Sequence, residues 1–380
     1  MDFKLNEEQQ MLQDTAARLV RDAYGFEQRE AFRRSELGYG AEFWRQLGEL
    51  GLTGVSLPEA YGGFGGGVES MLVHTELGRG LCLEPYLQSV VFAGGLLAQL
   101  GSEAQKDRLL GSVASGELQL AVAFEEPQSH YELNAVATRA EPVNGGWRLS
   151  GRKVAVIGGH SAGMILVSAR VSGGERDEQG LGLFLLDPTE AGVKRRVYPT
   201  ADGFKACELY LDGAFVAAEQ VLGEPGNAFA ALRYQQGRAI AAQCAEAVGA
   251  MEATCDLTLE YLKTRKQFGV PIGSFQVLQH RMVDMRSELD QASSMAILAA
   301  CVADQPDSIE RSRALAAAKF IVSRAGRFIS EQCIQLHGGI GLTDEYLGSH
   351  YAKHLVMISH QFGDDDHHQQ VFSQLMDVSA

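Results

Sequence analysis

A mainly helical chain with one β domain at its middle and a helical bundle at its C-terminal end is the fold class predicted by these 380 residues. Three observations carry that prediction. Residues 1–119 place apolar side chains at three- and four-residue spacing, the mark of amphipathic helices. Residues 120–226 change to short β-branched and aromatic runs separated by turn residues. Residues 227–380 return to the helical period in long stretches.

In the first segment, Asn6 followed by Glu7, Glu8 and Gln9 reads as a helix start, a capping side chain and then acids in the first turn. QQMLQDTAARLV, EFWRQLGELGL, SMLVHTELGRGL and SEAQKDRLLGSVASG then follow as helices. The glycine run YGGFGGG at 61–67 invites comparison with a phosphate cradle. It lacks the Lys-Ser/Thr ending and has no strand before it, so it reads as a structural loop. In the second segment LQLAVAF, GGWRLSGRKVAVIG, GMILVSARV, GLGLFLLD and KACELYLDG predict a compact sandwich or barrel. In the third, Ile240, Cys244, Val248, Met251, Cys255, Leu259 and Leu262 form one seam. Leu278 to Ala299 and Leu315 to Ile329 repeat it, joined through the stretch containing Pro306. A repeat near 3.5 residues packs long helices side by side, as in a four-helix bundle.

Composition limits the function. With 46% hydrophobic and 21% charged residues the chain is ordinary globular material. A formal net charge of −15 argues against a general nucleic-acid binder. No apolar run is long enough to cross a bilayer, so membrane insertion is not expected, and MDFKLNEEQQ is not patterned as a signal peptide. Six scattered cysteines without a CxxC pair read as buried thiols in a reducing cytoplasm. HQFGDDDHHQQ, from His360, groups acids and histidines, but consecutive aspartates point in different directions. It is expected to be a capping or solvated turn, with no metal bound.

Two stretches carry more specific chemistry, YLKTRKQFGVPIGSFQVLQHRMVDM at 261–285 and QLHGGIGLTDEY at 335–346. Arg265 is a planar cation suited to a pyrophosphate. Phe268 offers an apolar face to an adenine, and Gln276 reaches the same ligand from the next helix. Gly338, Gly339 and Gly341 let a backbone approach closely. With LGELGLTGVSLPEAYGGFGGG near the start, these stretches resemble the acyl-CoA dehydrogenase family over nearly the whole chain. LTLEYLKTRKQFG and the FGDDDHH ending are most similar to a small subunit within that family. The resemblance implies FAD as cofactor, an acyl-CoA substrate and an electron-transfer flavoprotein as electron acceptor. It implies that Arg265, Gln267, Phe268, Gln276, Gln335, Gly338, Gly339 and Gly341 hold the adenosine and pyrophosphate of a neighbouring subunit's FAD. The reaction implied is α,β-dehydrogenation of a CoA thioester, with a carboxylate taking the α-proton.

The resemblance fails unevenly. The family's basic Glu aligns with Phe362, with Gly363 retained after it. The alternative base position, before Arg238, is Gly237. Asp364 is the fallback candidate for the base. Arg238 either binds near the thioester or holds the bundle together. Lys194, Arg195 and Arg196 either meet CoA phosphates or are simply solvated. On the flavin-facing side Glu125-Glu126-Pro127 replaces Thr-Glu-Pro, and Gln128-Ser129-His130-Tyr131 replaces a loop of small residues. Ala155-Val156-Ile157 replaces Trp-Ile-Thr, and Lys353-His354 replaces Arg-Asp. Residues that serve a neighbour's FAD are therefore kept while the ring pocket and base are eroded. This pattern implies a hetero-oligomer, α2β2, in which an unlike subunit supplies the chemistry. The alternatives are a self-sufficient homo-oligomeric dehydrogenase with a relocated base, a flavin monooxygenase on the same scaffold, or a purely structural partner.

Overall fold

The computed structural model describes residues 4–377. Helices α1 (Glu7–Ala23), α2 (Phe26–Arg34), α3 (Ala41–Glu49), α4 (Gly67–Arg79), α5 (Gly95–Leu100) and α6 (Glu103–Ala114) come first. Strands β1 (Leu120–Ala123), β2 (Arg139–Val143), β3 (Gly146–Ile157), β4 (Met164–Arg170), β5 (Leu181–Leu186), β6 (Val193–Pro199), β7 (Lys205–Ala217) and β8 (Val221–Leu222) follow. Helix α7 (Phe229–Thr264), a hairpin of β9 (Lys266–Gln267) and β10 (Val270–Pro271), and helices α8 (Gln276–Val302), α9 (Ile309–His337), α10 (Leu347–His360) and α11 (Asp365–Asp377) complete the chain. They form two compact units.

One unit is helical and is drawn from the stretches up to Glu30, Gly67–Cys82 and Ile240 onward. Helix α1 starts where the sequence places it. The Asn6 side chain accepts from Gln9 N at 2.8 Å, and Gln9 Oε1 accepts from Asn6 N at 3.1 Å. This reciprocal capping box satisfies two donors that the helix itself leaves free. The predicted seams are buried at Cys244, Met251, Met285, Leu289, Ala318 and Ile329, whereas Leu259, near the end of α7, is exposed. Helices α8, α10 and α11 all pack on α9. Five cysteines are buried and none is paired; Cys301, expected to be buried, is exposed near the end of α8.

Helices α4 and α7 cross at backbone contact. A Cβ on Gly78 would sit 1.9 Å from Glu246 O, and one on Gly249 would sit 1.8 Å from Thr75 O. At the polar centre of the bundle, Lys319 is fully buried. Its Nζ donates to Gln243 Oε1 at 2.8 Å and to the Ile358 carbonyl. Burial pulls this amine down to about 8, so it remains a cation at neutral pH.

The other unit covers 31–66 and 83–239. Its sheet runs β6-β7-β3-β2-β4-β5-β8, with β1 also pairing in parallel to β4. Although the hydrogen-bonded ladder is continuous, Ala121, Leu149, Val167, Phe184 and Leu209 share one core. The β domain expected as a sandwich or barrel is one eight-stranded sheet with a common core. Strands β2 and β6 were not visible in the sequence because nearly all their side chains face out. The glycine run is structural, as expected: a Cβ on Gly63 would sit 2.2 Å from Leu57 O.

Substituting Gly249→Ala forces the α4–α7 crossing apart and lowers stability by about 1–3 kcal/mol. Gly111→Ala, in α6 with nothing within 4 Å of the new methyl, raises stability by about 0.5–1 kcal/mol. Urea unfolding of the two variants checks both signs.

Candidate functional site

The last turn of α7 delivers Arg265, whose N donates to Tyr261 O at 2.8 Å. The chain then reverses through β9 and β10, and Ile272 N returns to Arg265 O at 2.8 Å. The two loop residues, Phe268 and Gly269, have φ of 54° and 82°. Such a two-residue turn needs left-handed backbone at both positions and normally takes Asn-Gly. Placing Phe there costs on the order of 1–2 kcal/mol. The turn leaves the Phe268 ring 89% exposed, edge-on to Phe275 with 6.1 Å between centroids. Arg265, Gln267 and Gln276 are also exposed.

The second motif ends α9. Gly338 has φ 65° and ψ −141°, a conformation open essentially to glycine alone. A Cβ on Gly338 or Gly339 would meet nothing within 4 Å, whereas one on Gly341 would press on His337 Cβ and Ile334 O, both at 3.1 Å. Gly341 is thus a packing residue within this chain, and Gly338 and Gly339 form the accessible stretch of backbone. Gln335, one turn earlier, is exposed. The two motifs leave the same end of the bundle. Tyr261 Oη donates to His337 O at 3.4 Å, and the His337 ring lies 4.4 Å from Tyr261 and 4.9 Å from Tyr346. A free-standing aromatic ring, an exposed guanidinium and unscreened glycine backbone are the donor set a dinucleotide tail requires, so these residues fit FAD.

The positions considered for a base are arranged differently. Phe362 is buried with φ 57°, and its carbonyl accepts from His368 Nε2 at 2.9 Å. Burial pulls His368 down to about 3, which keeps this donor neutral. Asp364 Oδ1 accepts from His367 N at 2.9 Å, and Asp364 O accepts from His368 N at 3.0 Å. Asp364 is therefore the N-cap of α11. Asp365 pairs with Arg327 at 2.9 Å. Among the described residues no group of His, Cys, Asp or Glu is disposed to hold a metal ion.

In the sheet unit, Arg238 donates to Gln235 Oε1 and to Ser56 O, both at 3.1 Å. Lys194 and Arg196 lie on the edge strand β6, with Arg196 paired to Glu208. Glu126 is buried and accepts from Lys153 Nζ at 2.7 Å, Ala137 N at 2.8 Å and Thr138 N at 3.1 Å. Burial alone would raise its carboxyl, but the Lys153 ammonium outweighs that and holds it at about 2. Its neighbour Glu125 has a carboxylate with no partner among the described residues, and burial pushes it up to about 7. Beside it β3 slips register, with Ala155 at φ 51° and Val156 turned into the core. Lys153 and Lys319 were missed in the sequence; a lone lysine inside an apolar run, as in AAAKFIV, is the signal that points to one of them.

Phe268→Asn relieves the left-handed strain. It raises the stability of the chain by about 1 kcal/mol. Thermal unfolding of the variant beside the wild type checks the sign.

Three models of one family match in order along the chain. They are the acyl-CoA dehydrogenase N-terminal domain at residues 6–117, the middle domain at 121–214 and the C-terminal domain at 228–368. The probable acyl-CoA dehydrogenase YngJ of Bacillus subtilis is 31% identical over 91% of this chain and 92% of its own length. FadE12 of Mycobacterium tuberculosis is 30% identical over 90% and 89%. Among solved structures, the Tcur3481-Tcur3483 steroid ACAD is 30% identical with TM-score 0.87, covering 98% of each chain. The ChsE4-ChsE5 complex from Mycobacterium tuberculosis is 26% identical with TM-score 0.88, covering 99% of each chain. No helix among the described residues is long and apolar enough to cross a membrane. The chain belongs to the acyl-CoA dehydrogenase family, FAD-dependent oxidoreductases that act on the CH–CH bond of an acyl-CoA.

Proposed function

We propose that this chain is the base-lacking subunit of a hetero-oligomeric acyl-CoA dehydrogenase, α2β2, and that it completes the FAD site of an unlike catalytic subunit. One contrast carries the reading. The nucleotide-gripping end of the bundle is intact, while Phe362 stands where the family's Glu would stand and Asp364 caps a helix. Two similar structures are of paired proteins, ChsE4-ChsE5 and Tcur3481-Tcur3483. The helix entry LTLEYLKTRKQFG and the ending FGDDDHH support a closer likeness to the small subunit of pimeloyl-CoA dehydrogenase. The three-segment division at about 120 and 227, a cytoplasmic setting and an electron-transfer flavoprotein as acceptor belong to the same reading.

When bound, FAD accepts the β-hydrogen as hydride. This chain's contribution is to hold the cofactor. Arg265 would offset the pyrophosphate charge, and Phe268 would offer its exposed ring to the adenine. Gln267, Gln276 and Gln335 would supply amide hydrogen bonds, and the backbone at Gly338–Gly339 would be open to the cofactor without a side chain between. Gly341 supports that turn from within. Arg238 is held beside Ser56, and Phe362 is buried.

A second reading, a self-sufficient enzyme with a relocated base, draws support from one observation, the unpaired near-neutral carboxyl of Glu125. Both readings meet the same experiment. The chain is purified alone and co-expressed with a catalytic acyl-CoA dehydrogenase subunit, and flavin absorbance is counted per tetramer. The primary reading expects two FAD per four chains in the mixed assembly. It expects the pure chain to turn over about 10²–10⁴-fold more slowly, as befits a missing general base. Four FAD in an active homotetramer contradicts it.

A further inference from the structure

Arg29, in the first turn of α2, is 1% exposed. Its Nε donates to Leu81 O at 2.9 Å, and its Nη1 lies 3.1 Å from His350 Nδ1. A guanidinium has only donors, so His350 Nδ1 is the bare acceptor of that pair. The ring proton is then on Nε2, which donates to Asp344 O at 2.8 Å. Phe26 closes one side of the imidazole, edge-on at 5.1 Å. One tautomer and one protonation state alone satisfy this arrangement.

Asp344 lies three residues beyond Gly341, in the loop that leaves the glycine turn. Its carboxylate is held by Lys353 at 2.7 Å and its carbonyl by His350. Thr343 N closes the turn on Ile340 O at 3.1 Å. A chain of contacts thus runs from Leu81 through Arg29 and His350 to the loop that carries Gly338–Gly341. The other ionisable groups facing the ring are Glu30 on α2, 3.7 Å from Nδ1, and the Asp344 carboxylate, 3.7 Å from Nε2. Burial, and behind it the Arg29 charge, push the imidazole below its ordinary value. The Asp344 carbonyl, Glu30 and the Asp344 carboxylate pull the other way without reversing the shift.

We propose that His350 is a positioning residue for the glycine turn, and that its neutral form sets how tightly this chain grips the nucleotide half of FAD. The inference rests on the cofactor-gripping reading above. A proton added to Nδ1 turns an N–H toward the Arg29 guanidinium and breaks that contact, so the ring moves away from Arg29 and carries with it the Asp344 loop, still bonded to Nε2. The grip is therefore complete above the ordinary histidine value of 6.5 and is lost as pH falls below it through the lowered native value.

The test uses the co-expressed assembly. FAD dissociation is followed by flavin fluorescence from pH 8 to pH 5 for the wild type, His350→Asn and His350→Gln. Asn keeps an acceptor near Nδ1 and Gln keeps a donor near Nε2, so each variant breaks one half of the relay. Each is expected to loosen FAD by roughly tenfold at pH 8, as small displacements of positioning groups do. The acid-induced loosening is expected in the wild type and absent from both variants. Variants that hold FAD as tightly as the wild type, with the same pH profile, overturn the inference even where the FAD count per tetramer is as proposed. An assembly in which this chain contacts no FAD overturns the inference together with the reading beneath it.

Discussion

The ammonium of Lys319 is the constraint on which the helical unit depends. A charge taken wholly out of water costs several kcal/mol unless its donors are satisfied. Here Gln243 of α7 and the Ile358 carbonyl of α10 both accept from it. Gln243 in turn donates to Gln361 Oε1 at 2.5 Å. Three helices and the turn after α10 are thereby fixed by a single buried cation. That turn has Phe362 and Gly363 both at positive φ.

The same logic recurs in the sheet unit. Glu126 in the Lys153–Glu126 pair is saturated by backbone N–H groups as well as by the ammonium. It braces the fold and leaves no carboxylate to spare, whereas Glu125 beside it faces no countercharge. Two adjacent acids with opposite environments commonly mark a functional surface. The strand beside them carries Ala155, Val156 and Ile157.

Much of this was legible in the sequence, for physical reasons. Buried seams such as Met285–Leu289–Ala292 repeat with the helix, and periodic burial is what a one-dimensional pattern records. Core strands such as LGLFLL declare themselves by composition, whereas VKRRVYP on the sheet edge does not, because its side chains are solvated and its partner lies elsewhere in the chain. The motif residues Arg265, Phe268 and Gly338 could be singled out through the resemblance of their motifs to the family. The left-handed turn that lifts Phe268 into solvent could not, nor could the difference between the open Gly339 and the packed Gly341, because both depend on tertiary neighbours. Relays such as Arg29–His350–Asp344 join residues more than three hundred positions apart and leave no local signature.

The account reduces to a separation of roles, with grip retained in this chain and proton chemistry supplied by another. The most direct measurement places Arg265→Ala in this chain alone, leaves the partner subunit unaltered, and compares flavin content and acyl-CoA oxidation in the purified assembly. The account predicts an assembly that still forms but has lost most of its FAD and its turnover, although the catalytic subunit is intact. Full flavin occupancy and unchanged turnover would contradict it.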